Sequence, residues 1–280
     1  MAELRVGTSG WRYPPWRAHF YPRGLPHKRE LAHLASRLPA VEVNGTFYSL
    51  TRPEACDAWR SAVPPDFTFA LKGSRYVTHM LKLRDVRVPL ANFFASGILR
   101  LGAQLGPLLW QLPSMVRFDH DRAAAFLDLL PRDVAAAERL ARRHDARVTG
   151  RACLTAPDGR TRRLRHALEV RHESWLADAA LDLLRRHDVA LVAADTAGRH
   201  PFAIHDTASF RYVRLHGSTE LYRSRYSDDE LAAWARRVRR WLGAGQDAYV
   251  FFDNTDKRHA PGDALRLLAA VGAAHLRPAA

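Results

Sequence analysis

Strand-like and helix-like segments take turns along the whole chain, and that alternation restricts the fold to an α/β architecture. Eight apolar runs read as strands: Leu4 to Ser9, Ala40 to Thr46, Phe67 to Lys72, Leu108 to Leu112, Ala167 to Arg171, Ala190 to Asp195, Phe210 to His216 and Ala248 to Asp253. Helical patterning fills the gaps at Lys28–Leu38, after Thr51-Arg52-Pro53, and over Asn92–Leu105 before Gly106-Pro107. It returns at Asp121–Leu130, Asp133–Arg143, Trp175–His187, Asp228–Leu242 and Gly262–Val271. Pro53 suits a first helical turn, where its missing N–H costs nothing. Only a short linker follows the sixth strand. Arg147–Leu164 reads as an inserted polar hairpin turned at Pro157-Asp158-Gly159, because Asp-Gly favours tight turns.

The count and length of these units fit a TIM-barrel-like (β/α)8 single domain over residues 1–280. A doubly wound open sheet is the rival, but the Gly-x-Gly-x-x-Gly turn expected after its first strand is missing. A hydrophobic content of 47% supplies a sizeable core, and no internal repeat, low-complexity tract or interdomain linker interrupts it.

Side chains alternate along a strand, so residues two apart share a face. In Val41-Glu42-Val43-Asn44 the valines face the helices, and Glu42 and Asn44 point into the barrel. The same split turns Glu169 and Arg171 inward, and groups Tyr212, Arg214 and His216. Lys72 ends the third strand, Gln111 the fourth, Asp195 the sixth, and Asp253 and Asn254 the eighth. Charges in a buried strand are costly unless paired or wet. Their recurrence at strand ends points to the C-terminal face, where TIM-barrel sites lie. The expectation is one solvent-filled mouth in which they converge.

The loops extend that group. Lys72-Gly73-Ser74-Arg75 with Thr78-His79 suits an anionic ligand. Arg171-His172-Glu173 leaves the fifth strand, and His216-Gly217 leaves the seventh with Tyr222 and Tyr226 close behind. Trp11, Tyr13 and Trp16 offer an aromatic wall. Each feature has a plainer alternative. Glu42, Lys72, Glu169, Arg171 and Arg214 would equally form an internal ion-pair network that only fixes the barrel. His79 by itself reads as a hydrogen-bonded loop residue, and the Trp11–Trp16 aromatics as a plug at the barrel edge. Phe251-Phe252 reads as packing.

No cofactor is expected. A divalent metal has weak support: Glu42, Glu169, Asp195, His216 and Asp253 offer oxygen and nitrogen donors, but no His-x-His or His-Glu-x-x-His spacing accompanies them. Lys72, Arg171 and Arg214 compete for the same carboxylates. Cys56 and Cys153 are too few for a disulfide framework and lie in no Cys-x-x-Cys pair. No Ser-His-Asp nucleophile elbow or phosphate-binding P-loop is present.

The net charge of +14 suggests a nucleic-acid partner at first sight. Lysine occurs only at positions 28, 72, 82 and 257, so nearly all the positive charge is arginine, spread over outer helices as in Arg142-Arg143 and Arg239-Arg240. That distribution favours a solvated basic surface arising from compositional bias. No apolar run is long enough to cross a bilayer, and Met1-Ala-Glu-Leu-Arg-Val6 lacks the character of a secretory signal. A cytoplasmic monomer with no membrane association is the default expectation.

The ordered set Gly7-Thr8-Ser9-Gly10-Trp11, Glu42-Val43-Asn44-Gly45-Thr46-Phe47-Tyr48 and Phe67-Thr68-Phe69-Ala70-Leu71-Lys72 resembles the family called domain of unknown function 72, the YecE-like proteins. Thr78-His79, Gly106-Pro107, Gln111-Leu112-Pro113, Glu169-Val170-Arg171-His172, Ser174-Trp175 and Arg214-Leu215-His216-Gly217 extend the match over nearly the full length. The resemblance implies a TIM-barrel-like fold in a soluble, prokaryote-type protein, and no established reaction. One departure is Phe252-Asp253-Asn254, where the family pattern has Phe-Asn-Asn; it keeps an acceptor and adds a charge. Arg147–Leu164 is also longer than in the shortest relatives.

The leading functional expectation is an enzyme of hydrolase, lyase or isomerase type acting on a small anionic or polyhydroxylated substrate. Lys72, Arg75 and Arg214 would bind the negative group, with Glu169 or His216 as general base and His172 or the other as acid. A nucleic-acid-binding or processing protein, stacking bases on the Trp11 aromatics, is the second reading. A non-catalytic ligand-binding module on the same face is the third.

Overall fold

The computed structural model describes residues 2–159 and 161–272. Its strands are β1 (Leu4–Ser9), β2 (Ala40–Val43), β3 (Thr68–Lys72), β4 (Leu105–Gln111), β5 (His166–Glu169), β6 (Val189–Leu191), β7 (Ala193–Asp195), β8 (Phe210–Leu215) and β9 (Asp247–Phe252). All pairings are parallel, in the order β6-β5-β4-β3-β2-β1-β9-β8-β7. The two ends of that order are consecutive in the chain. β6 pairs with β5, β7 pairs with β8, and Val192 joins them while its N–H donates to Leu168 O at 3.0 Å. They are two halves of one stave, so the sheet closes as an eight-staved barrel.

The helices are α1 (Glu30–Ala35), α2 (Gly45–Tyr48), α3 (Pro53–Ser61), α4 (Arg87–Ala95), α5 (His120–Leu129), α6 (Val134–Ala141), α7 (Asp178–Arg186), α8 (Asp228–Gly243) and α9 (His259–Val271). α8 shows how sequence sets these elements. Ser227 and Glu230 close a capping box at its start, and Leu231, Trp234, Ala235, Val238, Trp241 and Leu242 form its buried face at helical spacing. Among the described residues no helix follows β7 before β8.

Two apolar layers result, because each strand alternates between them. Outward residues such as Val41, Val43, Leu71 and Leu168 pack with the helices. The barrel interior holds Ala40, Ala70, Leu109, Ala167, Ala190, Val192 and Ala194 facing Phe210, Tyr212, Tyr249 and Phe251. Large rings from two neighbouring strands thus fill the space left by small residues on the others. Gly7 belongs to this fit, since a Cβ there would lie 2.1 Å from Ala40 O. This packing fills the lower barrel and confines polar side chains to its C-terminal end.

Several boundaries differ from the sequence reading. β2 stops at Val43 because Asn44 turns into helical conformation (φ −81°, ψ −21°) and begins α2. β4 starts at Leu105 rather than Leu108. The register shift between Phe69 and Leu71 accommodates Pro107, which cannot donate to a regular ladder. The helix expected over Asn92–Leu105 divides into α4 and a 3-10 segment, Ile98–Gln104, at Gly97 (φ 107°). The expected hairpin over Arg147–Leu164 does not form among the described residues; the segment runs through turns, and its one bridge pairs Arg163 with Asp133.

Candidate active site

Arg214, on β8, is the centre of the polar group. Its Nε lies 3.1 Å from both Glu42 carboxylate oxygens, and Nη2 donates to Glu42 Oε1 at 2.8 Å. Nη1 donates to Glu169 Oε2 at 2.6 Å, and Nη2 to Asp253 Oδ2 at 2.9 Å. Three carboxylates from β2, from β5 and from just beyond β9 therefore share one guanidinium. Arg214 is 1% exposed, and Glu42 and Glu169 are 0% exposed. Burial of that many charges is tolerable only because the planar fork of arginine satisfies them at fixed angles. Ser9 Oγ and Tyr212 Oη complete Glu42, each donating at 2.6 Å. Burial and the neighbouring Glu42 charge raise the Tyr212 hydroxyl well above the usual tyrosine range, so it stays a donor.

His216 sits between two of those acids. Nδ1 lies 3.0 Å from Asp253 Oδ2, an ion-pair contact rather than an aligned hydrogen bond, and Nε2 lies 3.8 Å from Glu169 Oε2. Nε2 is also 3.3 Å from Arg214 Nη1, which it accepts from when the ring is neutral. Burial and the Arg214 charge act against protonation, but the two carboxylates prevail and raise the pKa above the ordinary histidine value. Burial alone would raise the Glu169 carboxyl; Arg214, His216 and Arg171 hold it well below the usual carboxylate range. Asp253 is lowered likewise, with Arg214 and His216 outweighing burial.

The upper edge of the cluster reaches solvent. Arg171 donates through Nε and Nη2 to Glu169 Oε1 at 3.3 and 3.2 Å and remains partly exposed. Lys72 is half-buried, its Nζ 4.5 Å from the Phe47 ring centroid, and its ammonium makes no ion pair or hydrogen bond among the described residues. Thr46 Oγ1 lies 2.7 Å from Lys72 O and 3.0 Å from Val43 O, its one hydrogen shared between them, tying the ends of β2 and β3 and so placing Phe47 beside Lys72. Burial, and next the Arg214 charge, push the Lys72 pKa down to about 8. His79 stands beside Phe47 (5.0 Å between ring centres) with Nε2 3.5 Å from Gln111 Nε2. Burial and the Lys72 charge lower it to about 4, so its ring is neutral.

Most other expected site residues are engaged elsewhere, Tyr222 excepted. His172 Nδ1 caps Ser174 N at 3.1 Å, and its Nε2 accepts from Arg117 Nε at 3.1 Å. Asp195 accepts from Tyr226 Oη at 3.0 Å, and burial raises its carboxyl. Asn254 Nδ2 is spent on Ser224 O and Asp263 Oδ2, both at 2.9 Å, and fastens α9. Arg75 is exposed, 5.7 Å from the Tyr48 ring. Trp11 is buried edge-on against Trp59 rather than presented as a wall. Asn44 is half-buried with Oδ1 enclosed and unpartnered, and lines a cavity of about 290 Å³ with Gly10, Tyr13 and Trp59. Tyr222 turns back (φ 65°) to set its ring 5.5 Å from that of His216.

The expectation of a single wet mouth is thus corrected. Glu42, Lys72, Glu169, Arg171, Arg214, His216 and Asp253 do converge, but Glu42, Glu169, Arg214 and His216 are sealed beneath it. Arg214 has no N–H left for an anion. Among the described residues no three His, Cys, Asp or Glu side chains are arranged to hold a metal ion.

Residues 5–280 match the family described as "Protein of unknown function DUF72". The chain belongs to the DUF72 family. Over 111 residues it is 28% identical to UPF0759 protein YecE of Escherichia coli K12, a match covering 40% of this chain and 38% of YecE. The chain therefore spans well under half the length of the curated relative it matches. A DUF72 family protein of Thermotoga maritima superposes with a TM-score of 0.74 at 25% identity, over 95% of this chain and 97% of its own. A DUF72 family protein of Enterococcus faecalis reaches 0.72 at 17% identity, over 96% and 95%, and shows the same fold.

Within this DUF72 chain, Ser9 and Phe47 hold positions that the sequence reading did not single out. Ser9 was findable, because it lies two residues after Gly7 on β1 and so faces inward. Phe47 was not: its place follows from the turn of Asn44 and the shared hydrogen bond of Thr46.

Proposed function

We propose that the protein is an acid–base enzyme acting on a small anionic or polyhydroxylated substrate at the C-terminal mouth of the barrel. The reading rests above all on the Asp253–His216 pair below a mouth whose cations, Lys72 and Arg171, are not fully spent. Lys72 and one arm of Arg171 would meet the negative or hydroxylated part of the substrate. His216, titrating above the ordinary histidine range, would hold a proton at Nδ1 and exchange it through Asp253, whose Oδ1 accepts no hydrogen bond among the described residues. Gln111 and the neutral His79 would orient hydroxyl groups. Glu42, Glu169 and Arg214 would fix the field without touching substrate. Hydrolase, lyase and isomerase chemistry all use such a pair.

The test is consumption of compounds from a cellular metabolite extract, followed by mass spectrometry. Some anionic or polyhydroxylated compound should disappear with the wild-type protein, at least about a hundredfold more slowly with His216→Gln. Equal consumption by both proteins rejects the proposed roles, and binding without consumption by either favours a ligand-binding module.

A second reading is favoured by Tyr48 and Tyr76, 67% and 37% exposed, which line a cavity of about 240 Å³ with Ser74 and Arg147. With Arg75 over Tyr48 they would form a stacking and cationic surface for single-stranded nucleic acid, in place of the buried Trp11. Binding that weakens steeply with salt and fails in Tyr48→Ala would support it; absence of binding at low salt removes it.

A further inference from the structure

We infer that Lys72 is a nucleophile that forms an imine with an aldehyde or ketone substrate. The inference deepens the proposed acid–base function by naming the substrate class, and rests on that reading. Four observations carry it. First, the three carboxylates nearest the site are taken by Arg214, with Asp253 and Glu169 shared further by His216 and Arg171, so the Lys72 ammonium has no counterion of its own. Second, Nζ stands 4.5 Å from the Phe47 ring centroid, so an apolar ring covers one side of this half-buried ammonium. Third, it stands at the C-terminal end of β3, on the barrel face that substrates reach. Fourth, arginine supplies nearly all the positive charge of this chain, and lysine occurs at only four positions. Lys28, Lys82 and Lys257 are exposed; the one lysine carried into the polar cluster is Lys72. An arginine there would bind an anion better but could never lose its proton to become a nucleophile.

The chemistry balances with a carbonyl compound as the only co-reactant. The neutral amine adds through its lone pair to the carbonyl carbon, forming a C–N bond as the C=O π pair moves to oxygen. The proton released by nitrogen matches the one taken by that oxygen, giving a neutral carbinolamine. One further proton, supplied from His216 through Asp253, lets the hydroxyl leave as water while the nitrogen lone pair closes the C=N bond. The resulting iminium carries the single positive charge that the ammonium carried before, and the proton the ammonium released to solvent on becoming the free amine replaces the one drawn from His216. A pKa near 8 supports the step, since roughly a tenth of Lys72 is then neutral at pH 7, against under about 0.1% of an ordinary lysine.

Reductive trapping tests the assignment on the full chain. The protein is incubated at pH 7 with D-glyceraldehyde or with pyruvate and sodium cyanoborohydride, and the modified lysines are mapped by peptide mass spectrometry. Lys28, Lys82 and Lys257 serve as internal standards. Lys72 should be labelled at least about tenfold faster than any of them by one of the two probes, and Lys72→Arg should lose that fast phase alone. Labelling of Lys72 at or below the rate of the exposed lysines with both probes overturns the inference. That result would leave the acid–base reading standing, because the latter is judged separately by metabolite consumption in His216→Gln.

Discussion

The Asp253 carboxylate stands 3.0 Å from His216 Nδ1, at the position where the resemblance led to an expectation of asparagine. The added charge is one of the two carboxylates that hold the His216 proton against burial and against Arg214. Asp253→Asn should lower the His216 pKa, read by NMR titration of the ring protons. A raised histidine pKa stabilises the fold fully below its unfolded value, and the benefit is lost as pH rises through the folded one. The variant should therefore lose more stability at pH 6 than at pH 9. An unchanged His216 titration would show that Asp253 does not set it.

Arg214→Met should destabilise the fold by about 3–5 kcal/mol in urea denaturation, since it leaves the buried Glu42 without a cation and Glu169 with Arg171 alone. Arg214→Lys should recover little, because one ammonium cannot meet three carboxylates along the directions of a planar fork. A loss under about 1 kcal/mol in Arg214→Met would mean that the acids find other partners or protonate without penalty.

Acid should erode stability through two routes of the same sign. Glu169 and Asp253 have depressed pKa values, so their contribution is present above the unfolded carboxylate range and lost as pH falls through the folded values. His166 is buried, accepting from Trp110 Nε1 at 3.2 Å with Nε2 2.8 Å from Pro131 O, and burial lowers it to about 3. The unfolded chain takes up that proton first, so stability falls as pH drops from 6.5 toward 3; at pH 5 the loss from His166 alone is about 2 kcal/mol. Thermal unfolding followed from pH 7.5 to 4 should show a steady decline in Tm. A flat profile would contradict both assignments.

Gly73→Ala should disturb the site from outside it. A Cβ at Gly73 would lie 2.2 Å from the Trp110 indole, which is fully buried and cannot give way. Overpacking of this kind costs about 1–3 kcal/mol. The shifted backbone would carry Lys72 away from Phe47, so the variant should show both lower stability and slower trapping at Lys72. Wild-type values for both would place the backbone of Gly73 elsewhere.

Local residue order was enough to set the staves and what each turns inward. Val41-Glu42-Val43 and Tyr212-Val213-Arg214 sort their side chains by strand alternation, a local property that needs no knowledge of the partner strand. What each inward group would meet was decided only by closure of the barrel. Glu42 and Arg214 are 172 residues apart and become neighbours through the ring of pairings. For the same reason sequence could not reveal that Arg214 is saturated, that His172 faces Arg117, or that Lys72 is left without a counterion. Charge and hydrogen-bond satisfaction depend on distances of a few ångströms across strands, and those exist only once the chain has closed on itself.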